Sequence, residues 1–306
     1  MLRRLLYSAA ALIAVAGVAF WVLTMARPLD ESVLADLQPA DPARGERIFF
    51  AGGCSSCHAS PGAEGDAWRE LGGGLALRTA YGTFVAPNIS PDPEDGIGGW
   101  SEADFANAML RGISPEGEHY YPAFPYTSYA RMEAQDVIDL FAFLKTLPPI
   151  DGRTQAHALG FPYSIRRGLG FWKLINLRDE PVIALDEDAS ETVLRGRYLV
   201  EGPGHCGECH TPRNSISGLD LRQWLAGGPA VEGDGTIPNI TPSEDGIGSW
   251  SEGDIGYFLE SGFMPDFDSA GGSMAPVIRN MARLPAADRE AIAAYLKSVP
   301  AVANSE

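Results

Sequence analysis

The sequence predicts a helical chain made of two repeated domains behind an N-terminal apolar helix, and three observations carry that prediction. First, the run Cys54-Ser55-Ser56-Cys57-His58 recurs as Cys206-Gly207-Glu208-Cys209-His210. Second, Pro87-Asn88-Ile89-Ser90-Pro91 followed by Gly96-Ile97-Gly98-Gly99-Trp100-Ser101 recurs as Pro238-Asn239-Ile240-Thr241-Pro242 and Gly246-Ile247-Gly248-Ser249-Trp250-Ser251. The first cysteines lie 152 residues apart, the asparagines 151 and the tryptophans 150. Order and spacing survive two single-residue deletions, as a tandem duplication requires. Third, both halves close on a helix-periodic apolar segment. At 306 residues the chain is long enough for two domains, each with its own core. The expected division is an anchor and the start of a tether over 1–29, a first domain over 30–150, a strap over 151–190 and a second domain over 191–306.

The elements follow in order. Met1-Leu2-Arg3-Arg4 precedes an uncharged run, Leu5–Ala26, which as a helix rises roughly 33 Å and spans a bilayer core of about 30 Å. A cleavable signal peptide is the competing reading, but its apolar region is shorter and ends on an Ala-x-Ala-like site, which Thr24-Met25-Ala26 matches poorly. An uncleaved anchor is expected, with Arg3 and Arg4 on the cytoplasmic side and the rest of the chain outside. Arg27–Pro42, with three prolines and no apolar period, reads as a tether.

Ala43–Phe50 and its counterpart Leu194–Val200 are expected helices running into the two cysteine motifs. Gly45 and Gly196 sit at matching points on them, where a glycine costs about 1 kcal/mol relative to alanine, so a close helix crossing is expected. Ser101 and Ser251 precede acidic residues and helical periodicity, the pattern of an N-cap. The closing helices are Glu133–Leu147 and Ala286–Val299, ended by Pro148-Pro149 and Pro300. Asp151–Glu191 has no counterpart, and its aromatic residues suggest a strap packed on the domains, with Arg166 and Arg167 either solvated or beside a bound anion.

The cysteine motifs carry the chemistry. In Cys-x-x-Cys-His two thiols fall on neighbouring points of one helical turn, where both can form thioethers to the vinyl groups of one haem, and the next residue reaches the iron. This is the c-type haem attachment signature, with a proximal histidine as first axial ligand. The expected sites are Cys54 and Cys57 with His58, and Cys206 and Cys209 with His210. Half a zinc site or a thioredoxin-like pair are the alternatives. Zinc would need two further ligands per pair, and only His119, His157 and His205 remain. A four-cysteine zinc site would leave each adjacent histidine unexplained.

The 23 basic and 40 acidic residues give a net charge of −17, which makes nucleic acid an improbable partner. It suits either plain solubility or steering toward a basic face on a protein partner.

With both motifs placed, the chain resembles the class I cytochrome c family, in particular the membrane-anchored multi-haem subunits of periplasmic alcohol, aldehyde and related dehydrogenases. The resemblance rests on Gly204-His205-Cys206-Gly207-Glu208-Cys209-His210-Thr211-Pro212-Arg213-Asn214, on both Pro-Asn-Ile blocks, and on Tyr121-Pro122-Ala123-Phe124-Pro125-Tyr126, and it covers nearly everything beyond residue 40. Such subunits usually carry three haem domains, whereas this chain carries two. The resemblance implies an all-α fold of two haem domains that passes single electrons between a periplasmic dehydrogenase or quinol-linked donor and an acceptor such as an oxidase or soluble cytochrome. No phosphate-cradling loop or nucleophile motif accompanies the cysteines. The rival reading is a di-haem redox enzyme, resembling a peroxidase or thiosulfate dehydrogenase, in which one iron is open or unusually ligated. A haem-based sensor is a third reading, with no output domain visible.

The distal ligands bear on that choice. Met274, in Gly272-Ser273-Met274-Ala275-Pro276, is expected to ligate the second haem, with Met264 and Met281 as alternatives. Thioether ligation raises the reduction potential. In the first domain related sequences often have Met where this one has Phe124, which cannot ligate iron. Met132 is the expected replacement, His119 the bis-histidine alternative, an open or water-bound iron a further one, and Met109 more suited to packing. Against Met132, its counterpart in the other repeat is Leu284, as a hydrophobic staple would have it.

Overall fold

The computed structural model describes residues 1–153, 155–230 and 235–304. Helix α1 (Leu2–Leu23) has a mean hydropathy of 2.2 and no buried residue, so by length and composition it can cross a membrane. Two matching helical series follow. The first comprises α2 (Pro42–Ala51), α3 (Cys54–His58), α4 (Glu102–Arg111), α5 (Tyr126–Tyr129) and α6 (Ala134–Leu144). After α7 (Gly168–Asn176) come α8 (Glu191–Glu201), α9 (Gly207–His210), α10 (Glu252–Ser261), α11 (Met274–Met281) and α12 (Ala286–Ser298).

Local chemistry sets these boundaries. Asp41 accepts a hydrogen bond from Ala43 N at 2.8 Å and Pro42 takes the first position of α2, where its missing N–H costs nothing. Ser101 and Asp104 form a reciprocal capping box on α4, and Ser251 and Asp254 do the same on α10. Both helices end on a left-handed glycine, Gly112 (φ 60°) and Gly262 (φ 77°).

The chain is mostly helical, as expected, with a few short strands beside the helices. Strands β1 (Ala76–Thr79), β2 (Gly82–Val85) and β3 (Ala158–Leu159) form an antiparallel sheet in that order, with Ala76 opposite Val85 and Gly82 opposite Leu159. A second pair, β4 (Gly228–Pro229) and β5 (Thr236–Ile237), follows the other cysteine motif. Strands of two to four residues are too short for an alternating pattern to stand out in sequence. Because β3 belongs to the strap, that segment completes the first sheet.

In each series the helix entering the cysteine motif packs on the closing helix, α2 on α6 and α8 on α12. Gly45 and Gly196 make these crossings close: a Cβ on either would stand 1.9 Å from the carbonyl oxygen of Asp139 or Ala291. The core is continuous between the halves, running from Phe49, Val137 and Leu140 through Met132 to Leu199, Ile292 and Tyr295. A fully buried side chain such as Phe49 contributes about 1.5–3 kcal/mol relative to exposure.

The foot of α1 is built into the fold. The Arg167 guanidinium lies 3.9 Å from the Trp21 ring centroid and donates to Trp21 O at 2.8 Å and Thr24 Oγ1 at 3.0 Å. His119 Nε2 donates to Thr24 O at 3.0 Å. A cation and an N–H donor thus meet the carbonyl end of the helix, where its dipole favours them, and Thr24 is fully buried. Arg166 donates instead to His119 O at 3.3 Å.

Candidate haem sites

Helix α3 carries Cys54 and Cys57, and α9 carries Cys209 with Cys206 at its N-cap; each pair is three residues apart, on one face and one turn apart, with a histidine beside the second cysteine. His58 Nδ1 bonds Pro87 O at 2.9 Å and His210 Nδ1 bonds Pro238 O at 2.8 Å. A carbonyl can only accept, so Nδ1 bears the hydrogen in both rings and Nε2 keeps a free lone pair. Burial, partly opposed by these bonds, holds both imidazoles below their ordinary pKa and hence neutral. A neutral ring fixed by its other nitrogen is the state in which histidine ligates metal.

Burial also pushes the thiols of Cys54 and Cys206 up to about 12, so both stay protonated. A redox nucleophile would instead need a stabilised thiolate. Among the described residues no three His, Cys, Asp or Glu side chains are placed to share a metal ion, so the zinc alternative finds no geometric support.

The surroundings repeat as faithfully as the donors. Cys54, Ile89, Trp100 and Phe124 in the first half, and Cys206, Ile240, Trp250 and Met274 in the second, are partly buried groups on the edge of the core. A planar apolar ring with two vinyl groups and a central iron matches this set of thiols, imidazole and apolar surface, so the residues fit a covalent haem in each half. The Trp224 ring packs so closely on the second motif that a Cβ on Gly207 would lie 2.1 Å from it. The Asn residues of the repeated blocks clamp the chain beyond each closing helix: Asn88 Nδ2 donates to Ile150 O at 2.6 Å and Asn239 Nδ2 to Val302 O at 2.7 Å.

The distal candidates separate. Tyr120 N donates to Gly112 O at 2.7 Å, and Ala270 N donates to Gly262 O at 2.8 Å in the same turn of the other half. Four residues beyond Tyr120 and Ala270 stand Phe124 and Met274, which therefore hold equivalent places. Met274 opens α11 and is half-buried. Met132 is buried in the shared core, its Cγ 3.6 Å from where a Cβ on Gly202 would stand. Leu284, its counterpart, is buried likewise. His119 is taken up by Thr24, and His157 Nδ1 accepts from Val85 N at 3.1 Å.

The two attachment helices also contact the opposite halves. Asn280 Nδ2 donates to Ser56 Oγ at 2.9 Å, and with the halves exchanged Ser128 Oγ donates to Glu208 Oε1 at 3.1 Å. Thr127 adds a 2.6 Å bond to the same carboxylate, which Arg213 pairs at 2.8 Å. Residue-by-residue reading missed these contacts and the two proline carbonyls that orient His58 and His210. The carbonyls had a signal in the repeated Pro-Asn dipeptides; the cross-half contacts had none.

Comparison with known proteins places this geometry. The cytochrome c family model matches residues 42–148. A diheme cytochrome c-type protein of Cereibacter sphaeroides is 56% identical over 301 residues, which cover 98% of this chain and 100% of that protein. The fructose dehydrogenase cytochrome subunit of Gluconobacter japonicus is 38% identical over 264 residues, 86% of this chain and 53% of the subunit. The cytochrome c subunit of the quinone alcohol dehydrogenase of Gluconobacter oxydans is 38% identical over 282 residues, 88% of this chain and 57% of the subunit. The chain thus spans little more than half the length of these two subunits.

Proposed function

The chain belongs to the cytochrome c family and carries two covalently bound haem c groups, and from that premise we propose that it is a membrane-anchored periplasmic relay with one haem in each of two tandem domains. Haem supplies an iron that takes up and gives back one electron; the chain's own residues attach it, orient its ligand and keep its surroundings apolar. Cys54 and Cys57 hold the first and Cys206 and Cys209 the second, with His58 and His210 as proximal ligands. The observation that carries this assignment is the pair of Nδ1–carbonyl bonds, 2.9 and 2.8 Å, which leave both Nε2 lone pairs available beside the thiols.

Met274 is the proposed distal ligand of the second haem. In the first, Phe124 takes the equivalent place, and Met132, the proposed donor, would have to leave its contact near Gly202 to serve. The two haems are therefore proposed to differ in ligation. This difference favours, as a second reading, a di-haem redox enzyme whose first iron is open to a small substrate. Bis-histidine ligation by His119, the separate alternative, would require release of Thr24.

Retention of α1 as an anchor is supported by the receptor that Arg167 and His119 form around Trp21 and Thr24 at its end, which a cleaved helix would leave without a partner. The donor is proposed to be a dehydrogenase subunit of the kind the relatives serve, approached by an acidic surface. Affinity purification from detergent-solubilised membranes tests both points. The expected result is an intact N-terminus, no release by high-salt washing, and a co-purifying redox enzyme that reduces the haems. An N-terminus beginning beyond Ala26 would refute the anchor.

A further inference from the structure

His205 occupies the place immediately before the first cysteine of its motif, and the corresponding place in the first half is Gly53. Both are left-handed, His205 at φ 38° and Gly53 at φ 56°. Glycine adopts this backbone freely, whereas an L side chain there crowds its own backbone and is strained. The duplication thus supplies its own control: the turn is satisfied by glycine in one copy and carries a strained histidine in the other. Strain of this kind persists where the surrounding structure makes use of it.

The imidazole has a defined partner. His205 Nε2 lies 3.2 Å from Gly52 O, 153 positions away in sequence, and since a carbonyl only accepts, Nε2 is the donor. Gly52 stands two residues before Cys54, and His205 is bonded to Cys206. The attachment loops are in contact here, since a Cβ on Gly52 would lie 3.5 Å from Pro203 O. On its other side the imidazole packs edge-on against the buried Tyr129 ring, centroids 5.7 Å apart at 76°, and Tyr129 in turn contacts Phe124 at 5.5 Å. One hydrogen bond therefore closes an otherwise covalent path from the peptide bearing Cys206 to the peptide bearing Cys54.

We propose that His205 is the bridge for electron exchange between the two haems, its hydrogen bond to the Gly52 carbonyl coupling the two attachment loops. This rests on the two-haem reading above. In each event one electron leaves a ferrous iron in one half and reduces a ferric iron in the other; no bond is made or broken, and His205 keeps its hydrogen.

The experiment uses the full-length holoprotein and compares wild type with His205→Gly and His205→Gln. Glycine relieves the strained φ, so His205→Gly is expected to fold, hold two haems by pyridine haemochrome assay, and match or exceed the wild-type melting temperature. Flash photoreduction delivers one electron per molecule, and its equilibration between the haems is followed optically alongside a redox titration. The expected result is severalfold slower equilibration in His205→Gly with the midpoint potentials retained, and recovery of the rate in His205→Gln, which keeps an N–H donor. An unchanged rate in His205→Gly overturns the bridge, as does a slowed rate that the glutamine does not restore, which would make His205 a spacer. A wild-type haem count other than two overturns the underlying reading instead, so the two failures are distinguishable.

Discussion

Tyr198 on α8 donates its hydroxyl to Asp136 on α6 at 2.5 Å across the boundary between the halves. Arg47 on α2 makes the counterpart contact to Asp288 on α12 at 3.0 Å with the halves exchanged. Positions 47 and 198, and 136 and 288, correspond in the repeat, so the halves face one another about a local two-fold. The attachment helices lie at that face, which accounts for the reciprocal contacts of Ser56 with Asn280 and of Glu208 with Ser128.

Asp288 is the charged centre of this boundary. Burial alone would raise its pKa, but the hydrogen bonds and charges of Arg195 and Arg47 overrule it and hold the carboxyl below its ordinary 3.8. Asp288→Asn is expected to lower stability near neutral pH by about 1.5–3 kcal/mol, as for hydrogen bonds to a charged group, with the half-exposed Arg47 contributing the smaller part. A depressed carboxylate contributes stability that is complete above its unfolded pKa and lost as pH falls through the folded one. The gap between wild type and variant should therefore close below pH 3.8; a gap undiminished at about pH 2 in denaturant titrations contradicts the assignment.

Gly196→Ala drives a methyl to 1.9 Å from the Ala291 carbonyl, so α8 and α12 must separate. Overpacking of this kind costs about 1–3 kcal/mol. Gly256, inside α10, has nothing within 4 Å of an added Cβ, so Gly256→Ala should raise stability by about 1 kcal/mol on helix propensity. Thermal unfolding of the pair should shift in opposite directions, and a neutral Gly196→Ala would refute the close crossing.

Lys173 on α7 donates to Arg111 O at 2.7 Å and Gly112 O at 2.6 Å beneath the Tyr126 ring, and burial pushes its pKa from 10.5 down to about 7. Between these two values the unfolded chain binds the proton and the folded chain does not, so stability rises with pH across that window and is flat outside it for this group. The stability difference between wild type and Lys173→Met should accordingly grow in favour of wild type from pH 7 to 10.5. A pH-independent difference would show that Lys173 stays charged on its two carbonyls.

Much of this was legible in the sequence because it is local or repeated. The expected closing helices Glu133–Leu147 and Ala286–Val299 appear as Ala134–Leu144 and Ala286–Ser298, and the paired Gly45 and Gly196 do mark close crossings. Ser101 and Ser251 cap their helices as expected. The small sheets escaped because their strands are shorter than the period that reveals a strand. Arg167 gave no sign that it would grip Trp21 and Thr24, nor His119 that it would join it, because those contacts join residues far apart in sequence. The distal side of the first site was the least legible: Phe124 breaks the pattern, and no local rule says whether Met132 packs or ligates.

Near-infrared magnetic circular dichroism reads that distal side. Met274→Ala should abolish the sulfur-to-iron band of the second haem, and Phe124→Met, which places a thioether where Met274 stands in the other half, should add or strengthen one for the first and raise its potential. If Met132→Ala removes a band from the wild type, Met132 is the donor; loss on His119→Ala of a low-spin signal in electron paramagnetic resonance would assign the histidine. A high-spin haem in the wild type supports the enzyme reading. A Met274→Ala variant with its band intact refutes that assignment.

The central claim, that each half attaches its own haem through its own cysteine pair, is tested most directly by counting haems. Pyridine haemochrome analysis of acid-acetone-extracted protein should give two c-type haems per chain for the wild type and one for the Cys206→Ala, Cys209→Ala double variant, with the first domain's spectrum retained. A single haem in the wild type, or two in the double variant, would contradict it.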